Sequence, residues 1–406
     1  MARHRTRETR VQRGIARWPL LVLGMVVLIV LGWLGYTWIG GVLQRRAAAQ
    51  AESCPAGEEA VHVAAAPGIA EAIQQAGNAW NRQRPVVLDH CMHVEVQSID
   101  PQTTFAGLTQ TWDDARLGPK PQAWVPDSTV WVNRLIAQNA GLVGAPARGL
   151  ATSPVLLAVP QPGEQALLGG NGFGWSDLPA LTSAPDGWAR YGRPEWGRFV
   201  VAVPDPAGNA ASALALQSTV AGTTAQSTGP VTAQVLDQQP ARDLLARLSG
   251  AQPARVPATT VGALGALDRV DMPSGAFTAV PVFEVDLYRH NLSKDGTSPT
   301  RPLSGVSPGG ATPAADFPLL PLAAPWADDA QQRAAQQFRD FLTEPAQQRL
   351  FARAGLRVPA SAEHPDPSPG IRWAPTAQPL APADAATTQQ LTAAWTAGLR
   401  AAVQGR

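Results

Sequence analysis

The chain has 406 residues, 45% hydrophobic and 16% charged, with 32 Lys and Arg against 31 Asp and Glu. That is length enough for two domains, or one two-lobed domain, with real cores, so no part has to be a minimal scaffold. Six Arg and one Glu fall in residues 1–17, leaving 26 basic against 30 acidic residues for the rest, which excludes the basic footprint of a nucleic-acid-binding domain.

Trp18–Leu43 is twenty-six residues without a charge or a side-chain amide. About twenty residues at roughly 1.5 Å of rise cross a hydrocarbon core of about 30 Å, and backbone groups in lipid must pair internally, so this run predicts one transmembrane helix over 18–43. Trp18 marks one interface, and Trp33, Tyr36 and Trp38 mark the other. Arg3, Arg5, Arg7, Arg10, Arg13 and Arg17 precede the run and only Arg45 and Arg46 follow it, which keeps residues 1–17 cytoplasmic and the main domain extracytoplasmic. Ala47-Ala48-Ala49 resembles a signal-peptide cleavage site, but the apolar run exceeds the roughly 7–15 residues of a signal h-region. The expectation is a permanent single-pass anchor in the cell membrane.

Residues 44–58 read as an Ala-rich stalk, and a βα alternation follows. A strand at Ala60–Ala65 is broken by Pro67-Gly68, which start a helix with Ile69, Ile73, Ala76 and Trp80 on one stripe. Then come a strand at Met92–Ile99, a helix near Thr103–Arg116, a short strand Ala123–Val125, and a helix over TVWVNRLIAQN capped by Asp127 or Ser128. Strand and helix in alternation imply a parallel sheet. Cys54 and Cys91 are the two cysteines, and in an oxidising compartment such a pair is most simply a disulfide. Each lies at the start of one of two strands expected to be parallel neighbours.

Ser153–Pro160 reads as a buried strand and as the place where the chain crosses to a second lobe. Arg198–Val203 is a predicted strand, Ala210–Val220 a helix of small residues, and Gln234–Leu248 another helix. Phe277–Val285 reads as a strand returning to the first lobe, and Leu292–Asp316 as a loop of Gly, Pro, Ser and Thr. PLLPLAAPW is a strand, and Asp328–Thr343 is an amphipathic helix with Ala330, Ala334, Phe338, Phe341 and Leu342 facing in. Pro359–Pro382 is a Pro-rich linker, and Ala383–Val403 a last helix. The expected layout is therefore lobe I over 59–152, lobe II over 153–270, a return to lobe I over 271–358, and a linker with a C-terminal helix over 359–406.

Catalytic signatures are weak. GVSPG at Gly305–Gly309 matches the nucleophile-elbow spacing, but Pro308 cannot supply the backbone N–H that an oxyanion hole needs. Neither Lys120 nor Lys294 sits in a phosphate loop. His62, His90 and His93 lie near Cys54, Cys91 and Met92, a set that suits zinc or copper in kind but not in spacing. Strand-surface histidines are the simpler reading, and neither a metal nor a cofactor is expected. Thirteen tryptophans fill a core or stack a sugar or amine.

Three junctions carry the functional reading: Ala65-Ala66-Pro67-Gly68, Pro126-Asp127-Ser128-Thr129 and Pro206-Ala207-Gly208-Asn209-Ala210. Each ends a strand and opens a helix. Ligands of open parallel sheets bind at the carboxyl ends of strands, where helix N-termini present free N–H groups. The candidate ligand-binding residues are Ala66, Gly68, Asp127, Ser128, Thr129, Gly208, Asn209 and Ala210.

Pro126-Asp127-Ser128, the run SPVLLA at Ser153–Ala158, Asp205-Pro206 before an Ala-rich helix, and FRDFLTEPAQQRLFARAGLR at Phe338–Arg357 together resemble bacterial extracellular solute-binding proteins. The resemblance spans about residues 58–358. More narrowly, it looks like the actinobacterial membrane-anchored proteins that carry such a domain before a von Willebrand factor type A domain. It implies an α/β, two-lobed type II periplasmic-binding-protein-like fold preceded by one transmembrane helix, with a double crossover, hinge closure on a ligand, and no catalysis. The sequence departs from those relatives in lacking an Asp-x-Ser-x-Ser metal motif, so a type A partner is expected to be separate or absent. Oxyanion-binding relatives commonly place a Ser at the first junction. Here Ala66 lacks the hydroxyl and Pro67 the N–H, and Asp127 and Asp205 leave a cationic or neutral polar ligand open. The resemblance implies capture of a small ligand between lobes for transport or sensing, with a transporter or a separate type A protein as partner. The alternative is an envelope protein-interaction module with the same fold and no small ligand.

Overall fold

The computed structural model describes residues 54–404 except 170–171, 223–228, 271, 273–274, 360 and 377, together with Met25, Val30, Leu31 and Trp33. Those four are helical and exposed. The rest of the expected span, 18–43, lies outside the described residues, as do 1–17 and most of the stalk. Among the described residues no helix is long and apolar enough to cross a membrane.

The first sheet has six strands, in the spatial order Val86–Val87, His90–Ser98, Gly57–Ala65, Ala123–Val125, Pro318–Pro321, Arg148–Gly149. Its centre is parallel, as the βα alternation requires: Gly57–Ala65 pairs in parallel with His90–Ser98 on one edge and with Ala123–Val125 on the other. Val61, Val63, Ala64 and Ala65 are fully buried. Pro67 opens the helix Pro67–Asn81, where a missing N–H costs nothing because first-turn donors have no intrahelical acceptor. Its expected stripe of Ile69, Ile73, Ala76 and Trp80 packs into the core. Cys54 and Cys91 form the expected disulfide, with Cα atoms 5.2 Å apart.

The second sheet is built on Ser153–Pro160, whose eight residues are all buried, which is why the strand reads as continuous SPVLLAVP rather than as alternation. Val280–Phe283 and Leu303–Val306 both pair antiparallel with Leu157 and Ala158, so they occupy opposite edges. Thr312–Ala315 pairs with Ser153 and Pro154 and carries Pro379–Leu380 on its outer side.

The chain passes to the second sheet between Gly149 and Ser153 and returns only between Ala315 and Pro318. This differs from the expected return from 271. Phe277–Val285 is a strand only over Val280–Phe283, it belongs to the second sheet, and the chain turns at once into the helix Glu284–Asn291. The presumed loop 292–316 contains two strands, because pairing to a buried neighbour outweighs the poor strand propensity of Gly305 and Pro313. Arg198–Val203 forms only a bridge between Val201 and Ala279. The helix predicted over 234–248 is split into Ala233–Leu236 and Gln239–Gly250, with Pro240 in the first turn of the second.

A buried ion pair fastens the lobes near their crossing. Arg357 donates through Nε and Nη2 to the two carboxylate oxygens of Glu284, each at 2.7 Å, and Glu284 is 2% exposed. Thr152 and Arg357 also exchange backbone hydrogen bonds of 2.7 and 2.8 Å. Removing one member of a buried pair strands the other charge, so Arg357→Ala should destabilise the protein by about 3–5 kcal/mol in chemical denaturation. Reduction of Cys54–Cys91, which are 37 positions apart, should cost about 3–4 kcal/mol and lower the calorimetric Tm.

Candidate functional site

The three central strands of the first sheet end level with one another. Ala65 is in register with Ser98 on one side and Val125 on the other, and the ladder continues through Ile99 N–H to Ala65 O at 2.9 Å and Ala66 N–H to Val125 O at 2.8 Å. Two residues beyond those positions stand Asp100, Pro67 and Asp127. The second lobe faces them with Gly208 and Asn209, which lead the helix Ala210–Ala221, and with Thr259 and Thr260 at the head of the helix Thr260–Leu267. A cavity of about 550 Å³ lies between, lined also by Trp131, Phe317, Asp286, Arg289, Lys294 and Asp295.

Of the residues expected to bind ligand, Ala66, Gly68, Asp127, Gly208 and Asn209 line this cavity. Ser128, Thr129 and Ala210 do not, and their local chemistry explains why. Ser128 is fully buried and its Oγ caps the helix Thr129–Asn139 by accepting from Val130 N–H. Thr129 gives its N–H and its hydroxyl to the Asp316 carboxylate. Ala210 is the buried first residue of its helix. Asn209 borders the cavity, but its amide is already engaged: Oδ1 accepts from Ser212 N–H at 2.9 Å and Nδ2 donates to Thr260 Oγ1 at 2.8 Å.

The sequence reading missed a fourth junction and a helix. Asp100-Pro101 repeats the pattern of the other junctions, with Asp100 accepting from Gln102 and Thr103 N–H. Asp286, Arg289, Lys294 and Asp295 come from the helix Glu284–Asn291 and the turn after it. The overlooked signal was the acids Glu284 and Asp286 at its start and the bases Arg289 and His290 at its end, the arrangement a helix dipole favours.

The lobes approach closely beside the cavity. A Cβ on Gly208 would lie 2.4 Å from Gln102 Oε1, and Arg134 Nη1 donates to Ala207 O at 2.7 Å. A Cβ on Gly68 would lie 3.2 Å from Val285 Cγ1 and 3.4 Å from Asp286 Oδ1, so the first turn of Pro67–Asn81 abuts the helix that bears Asp286.

Two of the cavity acids are strained electrostatically. Burial lifts the Asp127 carboxyl well above the usual range, the charges of Asp286, Asp100 and Asp316 add to this, and the Trp131 indole N–H opposes it. Burial likewise pushes Asp286 up to about 7, with Arg289 opposing and Asp295 and Asp100 adding. Asp295 is held below its ordinary value: burial would raise it, but hydrogen bonds from Thr297 and the His290 ring outweigh that.

Comparison with known proteins agrees with this architecture. The profile of the family described as bacterial extracellular solute-binding protein matches residues 61–357. Two curated proteins of Mycobacterium tuberculosis, from strains CDC 1551 and H37Rv and both uncharacterized, are 30% identical over 358 residues, which is 88% of this chain. The chain spans about half the length of these relatives, 50%. Among solved structures, the sulfate-binding protein SubI of M. tuberculosis H37Rv superposes with a TM-score of 0.51 at 18% identity, over 81% of this chain and 96% of that one. The periplasmic thiamin binding protein gives a TM-score of 0.55 at 13% identity, over 84% and 96%. Both likenesses are of fold.

Two outcomes follow from the geometry. Asn209→Ala should lower stability by about 1 kcal/mol through loss of its cap, measured by urea denaturation. A carboxyl whose folded pKa lies above its unfolded one holds its proton more tightly in the folded chain, so Asp286 makes stability fall as pH rises from about 4 to about 7. Asp286→Asn should therefore melt higher than the parent at pH 8, with the difference closing toward pH 4.

Proposed function

The chain belongs to the bacterial extracellular solute-binding protein family, and from that premise we propose that it captures a small solute in the cleft between its two lobes. The observation that carries this reading is the cavity itself. It lies at the carboxyl edge of the parallel strands, is bordered by both lobes, and is lined by polar side chains such as Asp100, Gln102, Asp127, Asn209 and Asp286 rather than filled by apolar ones. Residues 18–43 hold the domain at the outer face of the cell membrane in this reading, supported by their uncharged sequence and by the exposed apolar side chains of Met25, Val30, Leu31 and Trp33. The captured solute passes to a membrane transporter, or its capture is sensed by a separate protein. No catalytic step is assigned to the chain.

Native mass spectrometry of the protein purified from the envelope, with thermal-shift screening against amino acids, polyamines, sugars and oxyanions, tests the reading. The expected result is a co-purifying small molecule or a melting shift that grows with ligand concentration, worth about 2.7 kcal/mol at a hundred times Kd. No added mass and no shift in any class would assign the fold to protein interaction instead.

A further inference from the structure

We propose that the solute taken by this cleft is an organic cation, its ammonium or other positive group seated between Asp127 of the first lobe and Asp286 of the helix that leads out of the second sheet. This rests on the reading of the cleft as a solute site and names the chemistry that the site selects.

Four acids line the cavity, Asp100, Asp127, Asp286 and Asp295, against two bases, Arg289 and Lys294. Both bases are already engaged. Arg289 donates to the backbone oxygen of Lys294 at 2.6 Å and pairs with Glu71 at 3.8 Å, and the exposed Lys294 lies over the Tyr288 ring at 5.9 Å. Two of the acids are engaged as well: Asp100 caps its helix, and Asp295 binds Thr297 and the buried His290. Asp127 and Asp286 are left. Oδ1 of Asp127 is buried and accepts no hydrogen bond among the described residues, and none of the hydrogen bonds or ion pairs there involves the Asp286 side chain. Each is enveloped by protein and open only in part, where it borders the cavity.

A carboxylate oxygen buried without a donor is costly, and a second carboxylate in the same cavity adds to the cost. A ligand cation supplies what both lack, whereas an anion would meet two more negative groups. Among the described residues no three His, Cys, Asp or Glu side chains converge in the way a metal ion needs, so the charge has to arrive on a larger body. Trp131 and Phe317 supply aromatic wall for that body.

The test is isothermal titration of the full 406-residue chain in detergent with choline, spermidine, calcium chloride, sulfate and glucose. Choline keeps its charge at every pH, while the groups around the seat do not. Asp286 titrates near 7 and faces Asp100, Asp127, Asp295, Arg289 and Lys294, with Asp316 behind Asp127 and Glu71 beyond Arg289. Affinity for choline or spermidine should therefore be about tenfold tighter at pH 8 than at pH 6. Asp127→Asn and Asp286→Asn should each weaken it at least tenfold without lowering the melting temperature, and the exposed Asp114→Asn should leave it unchanged. Binding of sulfate or glucose without either organic cation would overturn the cation assignment and leave solute capture standing, and so would binding of calcium alone. No binding by any probe, with no co-purifying mass, would overturn both.

Discussion

The structure depends on the register of one strand. Gly57–Ala65 is held in parallel on both edges, and because parallel strands run in one direction, all three finish on the same side of the sheet. Ala65 opposite Ser98 and Val125 then fixes Pro67, Asp100 and Asp127 side by side, each at the opening of a helix. A slip of one residue in either pairing would turn Val61 and Val63 out of the core, so burial of these side chains is also what aligns the acids of the cleft. The disulfide from Cys54 to Cys91 ties the two strands at their opposite end, where Gly57 pairs with His90.

The crossings between lobes lie together. Leu150 N–H donates to Phe317 O at 3.2 Å, so the outgoing and returning segments are hydrogen-bonded to each other, and Arg357 is joined to Thr152 beside them. Phe317 has φ of 39°, a left-handed conformation that a bulky side chain rarely takes and that costs on the order of 1–3 kcal/mol. It persists because the surroundings hold it: the ring is 1% exposed, and the backbone N–H groups of Asp316 and Phe317 both donate to Asp127 O.

Much of the first lobe was legible because its rules are local. Pro67 opening a helix, the 3.6-residue stripe of Ile69 to Trp80, and the small-residue junctions all follow from neighbours in sequence. The helix Asp329–Phe341 was equally plain, with Asp328 and Gln331 capping each other and Phe338 and Phe341 on the buried face. What stayed hidden depends on partners far away. In FEVDLY the apolar residues Phe283, Val285 and Leu287 alternate as in a strand, yet Val285 N–H is taken by Ser153 Oγ at 2.9 Å and the chain coils from Glu284 onward. Leu303–Val306 and Thr312–Ala315 become strands only because Ser153–Pro160 offers them the edge opposite Val280–Phe283. Of the candidate site, the junctions could be read, but not which junction side chains are spent on caps. Ser128 and Asn209 are helix-capping residue types, and capping is where their polar atoms go.

These features connect the ligand to the hinge. Asp316 binds Thr129 through its carboxylate and Asp127 through its backbone, so the returning segment is clamped to the junction that bears Asp127, whose carboxyl pKa burial raises. Burial raises the pKa of Asp316 too, while its bonds from Thr129 favour the ionised form. An incoming positive charge would stabilise the ionised forms of Asp127 and Asp286 together, one on each side of the crossing. In the proposed complex the cation would bridge the two acids, so the contacts that select its charge would also favour the closed arrangement of the lobes.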